Sequence, residues 1–558
     1  MDNSSLPKLA LRKFFSLPAC RSWLKKNWRR LRFYPSLMPT DVLFSYWNQS
    51  EWPDYQDWLN RHSMRSIEAW TQCHREGLAW KTPVKISLVT PVYNTHSPLL
   101  YECILSVKLQ TYPYWQLVLV DDGSSNSDTL KLLASAFCQD PRIDVIYGQG
   151  SRGISAATNQ GIDHANGDYV IFLDHDDRLA LDALHHIADQ VKQNPALDIL
   201  YSDRDMISPQ NKRFMHLFKP DWSPETLLSG NYLFHLMCYR RRLLEQLGGL
   251  RSEFDGSQDY DLILRAAETN PVVKHIDKVL YHWRQHEASV SLNDHAKDYA
   301  FEAGIAVLNA ALLRRNLNAS AVEISDLWRG MHRVKWKPIA DCDINYITVD
   351  INTPDNYSKD VYRQLQDKPY IAILGQTVTP LADDALQALA SWLSIEGVGL
   401  VCGKLINMQG DIDYIGMNYR ADGSLCIPYQ GFPVSEAGYM AITRIVRNIS
   451  APHPYCVVID QELWQQLGGF NPVFQGPHAL LDFALRALNS GWRCVVDPQY
   501  CFQIEEDWLT DWPEGEKEQF ASIWENWLEN GDPYFNKNLD NTSSDMRLKN
   551  QRLFSAKY

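Results

Sequence analysis

The 558-residue sequence contains no uninterrupted apolar run that approaches the roughly 18 residues of a membrane-spanning helix. Its 11 cysteines include no Cys-x-x-Cys pair and no spacing typical of a zinc site. A chain of this size can fold without disulfide bonds, so the scattered cysteines predict reduced thiols in a cytoplasm. A signal-peptide core with a cleavage site is also lacking. These absences predict a large cytoplasmic protein of two or three domains.

Acidic residues are absent from residues 8–32, where nine lysines and arginines stand. This basic arm carries +9, so the remainder carries −22, which is −13 minus 9. Leucine, phenylalanine and tryptophan between the cations make residues 8–33 amphipathic, and each cation near an anionic membrane contributes about 1 kcal/mol. The arm therefore predicts peripheral contact with the inner face of the cytoplasmic membrane. Nucleic acid is excluded as a partner because the rest of the chain is acidic and would be repelled.

Four apolar runs in the first half of the sequence each stop at a polar cluster, and helical patterns separate them. The runs read as strands at residues 86–90, 117–120, 143–147 and 169–173. Strands that alternate with helices predict βαβ units and therefore a mostly parallel sheet. Because ligands bind beyond the carboxyl ends of such strands, the four polar clusters are expected to line one rim.

Three carboxylates, Asp174, Asp176 and Asp177, follow the fourth run, where their mutual repulsion needs an ionic partner. On extended chain Asp174 and Asp176 point to the same side while His175 points away, which predicts a structural role for His175. Two such carboxylates can hold a hard divalent cation whose remaining positions bind phosphate oxygens. This edge of the sheet is therefore a predicted diphosphate site.

Four sequence words in this region resemble, in order and spacing, family 2 glycosyltransferases of the GT-A fold. They are VTPVYN at 89–94, VLVDDGSSNSD at 118–128, FLDHDD at 172–177 and GSQDYDLILR at 256–265. The resemblance runs from about residue 85 to about residue 292 and continues weakly beyond. It implies an α/β GT-A fold with a Rossmann-like, mostly parallel sheet. It also implies an inverting enzyme that transfers a hexosyl or deoxyhexosyl group from a nucleotide-diphosphate sugar and uses Mg²⁺ or Mn²⁺.

The resemblance implies which residues bind the donor. Tyr93 and Asp122 would hold the nucleotide base beside Pro91. Asp174 and Asp176 would hold the metal and the diphosphate, since they form the Asp-x-Asp motif of such families. All five residues lie in the polar clusters that follow the predicted strands.

The remaining roles that the resemblance implies concern catalysis and closure. Asp259 would be the base that takes the proton of the acceptor hydroxyl, although Gln258 replaces the Glu of the usual Glu-Asp pair. The other interpretation is that Ser257 caps a helix and Asp259 only interacts with the helix dipole. Arg284 would approach the diphosphate and His286 the metal, although loop residues of these types are commonly just solvated.

The second half of the sequence repeats the first half in degraded form. Residues 467–486 echo residues 247–265 with one inserted residue, and residues 370–374 echo the fourth strand. Both copies keep an acid and an arginine four positions apart, Asp261 with Arg265 and Asp482 with Arg486. This spacing predicts ion pairs on helices, so Asp261 is interpreted as structural.

The chemical positions are lost in the second copy. Gly-Gln-Thr at 375–377 replaces the Asp-His-Asp after the fourth strand, and Ala479 or Leu480 replaces Asp259. Only about 40 residues precede the echoed strand, too few for two βαβ units of at least roughly 30 residues each. The second copy is therefore predicted to be a truncated, catalytically silent GT-A-like domain that binds acceptor, braces the first domain or forms a homodimer.

Two interpretations from other functional classes stay open. A strand that runs into Asp-x-Asp also opens haloacid dehalogenase-like phosphatases, in which the first Asp is a nucleophile. That class needs Thr or Val two residues after the second Asp, and Arg178 stands there. The other is a catalytically silent glycan-binding or scaffold protein, which would leave the repulsion among the retained acids without an offset.

The predicted organisation has four parts. They are a basic arm with a helical lead-in at 1–80, the catalytic GT-A domain at 81–325, the degenerate GT-A-like domain at 326–510 and a polar helical tail at 511–558. The predicted partners are a nucleotide sugar and a glycan or lipid-linked oligosaccharide acceptor of surface-polysaccharide synthesis. Asp203 and Asp205 are interpreted either as ligands of sugar hydroxyls or as plain surface charge.

Overall fold

The protein is described from a computed structural model. The structure describes residues 40–549 apart from 136, 286–297, 338–341, 509–512 and 514. The basic arm at 8–33 and His286 therefore lie outside the described residues. Among the residues that the structure describes, no helix combines the length and apolar character needed to cross a bilayer.

The chain divides into two compact units. Unit 1 comprises Met1–Leu217, Leu233–Leu262 and Thr269–Lys297, and unit 2 comprises Phe218–Tyr232, Ile263–Glu268 and Asp298–Tyr558. The retained acids Asp122, Asp174, Asp176 and Asp259 fall in unit 1. The four-part division into 1–80, 81–325, 326–510 and 511–558 stays a prediction.

Unit 1 is a mixed α/β unit built on one sheet. Its strands are β1 Ile86–Val92, β2 Trp115–Asp121, β3 Ile143–Tyr147, β4 Tyr169–Phe172, β5 Arg178–Leu179, β6 Ile199–Ile207, β7 Arg213–Leu217, β8 Met237–Arg240 and β9 Val273–Arg284. The helices that begin in it are α1 Thr40–Trp47, α2 Pro53–His62, α3 Ile67–Leu78, α4 Ser97–Lys108, α5 Ser127–Leu133, α6 Ile154–His164, α7 Ala183–Gln193, α8 Arg241–Leu247 and α9 Gln258–Ala267.

The strand order in unit 1 is β3-β2-β1-β4-β8-β6-β9-β5, and β7 pairs with β6. Strands β1 to β4 are mutually parallel where they pair, which confirms the predicted βαβ series. Strand β8 is antiparallel to both of its neighbours, and β6 and β9 are parallel. The parallel pairing brings the carboxyl ends of β1, β2 and β4 to one edge, as expected for a sheet built from βαβ units.

The local sequence explains why the elements that carry this edge form. Every residue of β2 is buried, as expected for a central parallel strand covered on both faces. Helix α4 begins with Ser97-Pro98, because proline in the first turn has no N–H to leave unpaired. Asn126 caps α5 by accepting hydrogen bonds from the N–H groups of Asp128 and Thr129 at 2.9 and 3.2 Å.

Unit 2 contains a second mixed sheet and two small hairpins. Its strands are β10 Ala319–Glu323, β11 His332–Trp336, β12 Ile344–Val349, β13 Tyr370–Gly375, β14 Val378–Pro380, β15 Val398–Ile406, β16 Ile412–Tyr414, β17 Asn418–Tyr419, β18 Leu425–Cys426, β19 Arg447–Ile449, β20 Cys456–Asp460 and β21 Arg493–Ile504. Its helices are α10 Asp298–Arg314, α11 Tyr357–Gln364, α12 Ala385–Ser391, α13 Gln461–Leu467, α14 His478–Asn489, α15 Glu516–Ile523 and α16 Glu525–Asn530. Short 3-10 helices of unit 2 lie at Thr226–Ser229, Pro354–Asn356, Trp392–Ser394 and Tyr439–Ala441, and Ser252–Phe254 in unit 1 is also a 3-10 helix.

The main sheet of unit 2 repeats the topology of the unit 1 sheet. Its order β12-β13-β20-β15-β21-β14 matches β1-β4-β8-β6-β9-β5 strand for strand. Each corresponding pair has the same parallel or antiparallel sense, and β16 pairs with β15 as β7 pairs with β6. The internal duplication predicted from the sequence is therefore confirmed at the level of strand pairing.

The truncation is equally clear in the topology. Between β12 and β13 the chain forms one α-helix, α11, whereas the segment between β1 and β4 contains α4, β2, α5, β3 and α6. In the described part of unit 2 no strand pairs with β12 in the way that β2 pairs with β1. The described part of the second copy therefore lacks counterparts of β2, which leads into Asp122, and of β3.

The retained parts of the duplication are structural. Helices α8 and α13 both end at a left-handed glycine, Gly248 with φ +73° and Gly468 with φ +71°, which a residue with Cβ would disfavour. Arg486 donates to Asp482 at 2.8 Å, which confirms the ion pair predicted for the second copy. In the first copy Asp261 is fully buried and also accepts from Arg251, which supports its structural interpretation.

Candidate functional site

A cavity of about 610 Å³ lies in unit 1 at the carboxyl ends of β1, β2 and β4. It has the size of a small-molecule site. Five residues predicted from the sequence line it together, namely Pro91, Tyr93, Asp122, Asp174 and Asp176. Residues that are far apart in the sequence are thus brought to one space by the parallel pairing of the strands.

Asp122 fixes the loop on one side of the cavity. Its carboxylate accepts hydrogen bonds from Ser151 Oγ at 2.7 Å, from the N–H of Arg152 at 2.9 Å and from the N–H of Gly153 at 3.0 Å. Gly123 makes this approach possible, because a Cβ there would meet Gly150 Cα at 2.7 Å. Asp122 therefore positions the loop that precedes α6, and its contact with a base stays a prediction.

The acidic segment after β4 is a turn. Strand β4 ends at Phe172, and the N–H of Asp177 donates to the carbonyl of Asp174 at 3.2 Å. The expectation that His175 points away from the two aspartates is wrong, since His175 lines the cavity with them. The alternation of side chains applies only to extended chain, and the chain has already turned here.

Asp177 holds this turn through hydrogen bonds in the protein interior. It is fully buried and accepts hydrogen bonds from Tyr281 Oη at 2.6 Å and from the N–H of Arg284 at 2.6 Å. Burial and then the negative charges of Asp176 and Asp174 raise the pKa of Asp177 well above its ordinary value. The carboxylates of the turn therefore repel one another.

Arg284 contacts the acidic turn from the protein interior. Its guanidinium donates to Glu102 Oε2 at 2.6 Å and to the carbonyl of Asp176 at 2.8 Å, and the residue is buried. Arg284 thus positions the turn, and its predicted contact with a diphosphate stays a prediction. The predicted metal contact of His286 lies outside the described residues.

Arg178 occupies the position where the phosphatase class would need Thr or Val. It is fully buried, donates to Asn211 Oδ1 at 3.0 Å and lies 4.5 Å from the ring of Trp47. Burial lowers the pKa of Arg178 to about 10. Arg178 therefore has a structural role in the interior of unit 1.

His235 is a potential site residue that sequence reasoning missed. Its Nε2 lies 3.7 Å from Asp174 Oδ2, and its ring stacks on Tyr281 with centroids 4.7 Å apart. One ligand atom from each of Asp174, Asp177 and His235 lies within 4.8 Å of the others. No sequence motif indicates His235, because it reaches the turn from the segment before β8, which carries none of the four sequence words.

Asp259 stands in the first turn of α9 and is partly exposed. It is not among the residues that line the cavity. Gln258, which departs from the family pattern, accepts from the N–H of Gly256 at 2.7 Å and closes the turn before the helix. The assignment of Asp259 as the base stays a prediction.

Asp203 and Asp205 are fully buried, which excludes the interpretation of surface charge. Asp203 Oδ1 lies 2.9 Å from His275 Nε2. Asp205 pairs with Arg213 at 2.5 Å and also contacts His282 Nδ1 at 2.7 Å. These two carboxylates take part in buried ionic contacts inside unit 1. One partner, His282, lies on β9 between Tyr281 and Arg284, which hold the acidic turn.

The Asp205 network predicts a pH-dependent stability. Burial and the charge of Arg213 lower the pKa of His282 to about 4, so the folded state favours the neutral imidazole. Burial alone would raise the pKa of Asp205, but Arg213 and His282 lower it overall. Both groups therefore contribute stability that is lost on acidification, and for His282 the loss runs from its ordinary value near 6.5 down to about 4.

We expect Asp205→Asn to destabilise unit 1 by about 3–5 kcal/mol, because it removes the carboxylate that pairs with the buried Arg213. Chemical denaturation of the full chain at neutral pH measures this loss. Asp128→Asn is the matched control, since its pair with Lys131 is 69–74% exposed and should contribute less than about 1 kcal/mol. Equal effects of the two substitutions would contradict the importance of the buried network.

Comparison with known proteins connects this site to a family. The profile described as "Glycosyl transferase family 2" matches residues 87–248, which include the cavity residues from Pro91 to Asp176. An uncharacterized protein y4gI of Sinorhizobium fredii is 29% identical over 74% of this chain and 52% of its own length. The O-antigen biosynthesis protein RfbC of Myxococcus xanthus is 28% identical over 83% of this chain and 41% of its own.

Other similarities cover shorter stretches. Chondroitin synthase of Escherichia coli is 28% identical over 41% of this chain and 33% of its own length. The chain thus spans about half or less of the length of these curated relatives. Among solved structures, S. aureus TarS 1-349 in complex with UDP-GlcNAc is 19% identical over 41% of this chain and 66% of that chain. Its TM-score is 0.34.

Proposed function

Residues 87–248 form a family 2 glycosyltransferase domain, and from this premise we propose that the protein is an inverting, metal-dependent glycosyltransferase. It transfers a sugar from a nucleotide-diphosphate donor to a hydroxyl of a glycan acceptor. The observation that carries the proposal is the cavity of unit 1, where Pro91, Tyr93, Asp122, Asp174 and Asp176 line one space. A donor needs a base-binding side and a diphosphate side, and the two groups of residues supply them.

The acidic turn fits a divalent cation by its chemistry. Asp174 and Asp176 line the cavity, and carboxylate oxygens are the ligands that Mg²⁺ and Mn²⁺ prefer. Burial first, and then the charges of Asp176 and Asp174, raise the pKa of Asp177, and a bound cation offsets the charges. We therefore assign the ion to Asp174 and Asp176, with Asp177 as the buried anchor of the turn. When bound, such an ion neutralises charge on the departing diphosphate.

The chain's own residues would supply the rest of the reaction. Asp259 takes the proton from the acceptor hydroxyl while that oxygen attacks the anomeric carbon, and the nucleoside diphosphate leaves from the opposite face. Asp122 and the loop that it fixes hold the nucleotide side of the donor. The buried contacts of Arg284 and Tyr281 keep the acidic turn in place, so that the donor meets a preorganised site.

The acceptor is proposed to be a lipid-linked precursor of a surface polysaccharide. Similarity to a protein of O-antigen biosynthesis and to a chondroitin synthase supports a polysaccharide product. The truncated second copy lacks the strands and acids of a donor site, which supports a single catalytic centre in the chain. Its role is proposed to be acceptor binding or bracing.

The basic arm is proposed to hold the enzyme at an anionic membrane, where a lipid-linked acceptor resides. The support is its charge of +9 and its interleaved apolar residues. We expect deletion of residues 1–35 to move the protein from the membrane fraction to the soluble fraction after cell lysis. Unchanged partitioning of the truncated chain would contradict the attachment.

A panel of nucleotide-diphosphate sugars tests the donor class. Each donor is added to the full chain with Mn²⁺ or with EDTA, and thermal unfolding is followed. We expect one donor, or a few donors with the same base, to raise the melting temperature only when the metal is present, because ligand binding to the folded state stabilises it. If every donor leaves unfolding unchanged in both conditions, the proposed function fails.

A further inference from the structure

A second cluster of metal-ligating side chains lies in unit 1, in the lead-in part of the chain. Cys73 and Glu76 stand three positions apart on α3, which places them on one face of that helix. His185 belongs to α7, the helix that follows β5 and the acidic turn. One ligand atom from each of Cys73, Glu76 and His185 lies within 4.8 Å of the others.

His185 and Glu76 each have an atom that makes no hydrogen bond to another described residue. The imidazole of His185 makes no hydrogen bond to any residue that the structure describes, and its Nδ1 is buried. Its Nε2 lies 4.0 Å from Glu76 Oε2, too far for a hydrogen bond. Glu76 receives a hydrogen bond from Gln72 on its other oxygen, Oε1, so Oε2 remains available toward the cluster.

We propose that Cys73, Glu76 and His185 bind one Zn²⁺ ion that joins helix α3 to helix α7. Zinc takes sulfur, nitrogen and oxygen ligands in a tetrahedral arrangement, with water at the fourth position. Two ligand atoms on one ion are about 3.3–3.7 Å apart at normal bond lengths, so small side-chain adjustments close the cluster. The acidic turn offers carboxylates and therefore favours harder cations.

The charges around the cluster favour a cation. The carboxylates of Asp182 and Glu76 place negative charge around Cys73, which a bound cation offsets. His185 can offer a ring nitrogen to the ion, since a neutral imidazole is a common metal ligand. On binding, the sulfur–zinc bond replaces the S–H bond and the thiol proton passes to solvent.

The ion would fasten two parts of unit 1 that are distant in the sequence. Helix α3 is already attached to the segment after α4, since Trp70 Nε1 donates to the Leu109 carbonyl at 2.7 Å and His74 Nδ1 lies 2.8 Å from the Thr111 carbonyl. A zinc ion at Cys73 and His185 adds a second attachment, to the helix that follows the acidic turn. This role is structural and independent of the proposed transferase activity.

Cobalt substitution tests the site in the full-length, reduced and chelator-treated protein. Co²⁺ bound to a thiolate gives a near-ultraviolet charge-transfer band that oxygen-only sites do not give, so the acidic turn does not interfere. We expect a band that saturates at one equivalent and is displaced by Zn²⁺. We expect Cys73→Ser to remove the band and His185→Gln to weaken zinc binding at least tenfold, the lower end of losses from outer-shell changes.

Cys342→Ser and His164→Gln are the matched controls and should leave the band unchanged. Circular dichroism without metal checks that all variants are folded, and Zn²⁺ should raise the melting temperature of the native protein but not of Cys73→Ser. A cobalt band that survives Cys73→Ser would overturn the proposal. So would the lack of any band, or weak binding that is equal in native protein, Cys73→Ser and His185→Gln.

Discussion

Asp176→Asn should reduce sugar transfer by at least about 10²–10³-fold while the protein remains folded. The substitution removes one of the two carboxylates that face the cavity and are assigned to the metal. Its effect on stability should be small, because it also relieves the repulsion that raises the pKa of Asp177. Transfer is measured as release of nucleoside diphosphate with acceptor present, and unfolding by urea verifies the fold.

The chain supplies a matched control for this substitution. Thr377 occupies the corresponding position in the second copy, after the strand β13 that matches β4. Thr377→Ala should leave transfer close to the native rate, because Thr377 belongs to the second copy, where no catalytic group is assigned. A loss with Thr377→Ala equal to that with Asp176→Asn would contradict the silent second copy.

A further substitution separates two possible ligand sets around Asp174. Asp174, Asp177 and His235 form a compact cluster, whereas Asp174 and Asp176 face the cavity. His235→Gln should preserve the dependence of transfer on the metal if Asp176 is the second ligand. Loss of metal dependence in His235→Gln, together with full activity in Asp176→Asn, would transfer the assignment to the compact cluster.

Asp259→Asn should lower the rate constant of transfer by about 10²–10⁴-fold, the usual contribution of a general base. Substrate binding should change little, because the substituted side chain keeps its size and position in the first turn of α9. If Asp259 only interacts with the helix dipole, the substitution should instead cost about 0.3–1 kcal/mol of stability and leave the rate intact. Steady-state kinetics and urea unfolding of the same preparation distinguish these outcomes.

Glu253→Gln is the control for Asp259→Asn. Glu253 is an acid near α9 in sequence with a side chain that is 65% exposed, and it pairs only loosely with Arg251 at 3.6 Å. It should have no measurable effect on transfer. A native rate for Asp259→Asn would refute the assignment of the base and leave Gln258 and its neighbours as part of an ordinary helix start.

The sheet of unit 1 could be predicted because its signals are local. Apolar runs such as 117–120 read directly as buried strands, and proline at Pro98 or asparagine at Asn126 marks a helix start. The second copy could be predicted because the chain contains its own comparison. The residues before β13 are too few for two βαβ units, which predicts a short segment between β12 and β13. The strand pairing confirms this truncation.

The finer geometry depends on partners that are distant in the sequence. The prediction that the side chain of His175 points away from Asp174 and Asp176 is wrong because strand β4 ends two residues before Asp174. The apolar pattern of the sequence does not resolve this boundary. The sequence did not distinguish between sugar binding and surface charge for Asp205, because its partners Arg213 and His282 come from other strands. His235 reaches the acidic turn only through the folding of the chain, so no local pattern indicates it.

Isothermal titration calorimetry of the full-length protein with nucleotide-diphosphate sugars and Mn²⁺ is the most direct measurement of donor binding at the acidic turn. We expect at least one donor to bind with one molecule per chain, with the heat lost when EDTA is added or when Asp174 is changed to Asn. No heat from the native protein with any donor, or heat that persists unchanged without the metal, would contradict a metal-dependent donor site at Asp174 and Asp176.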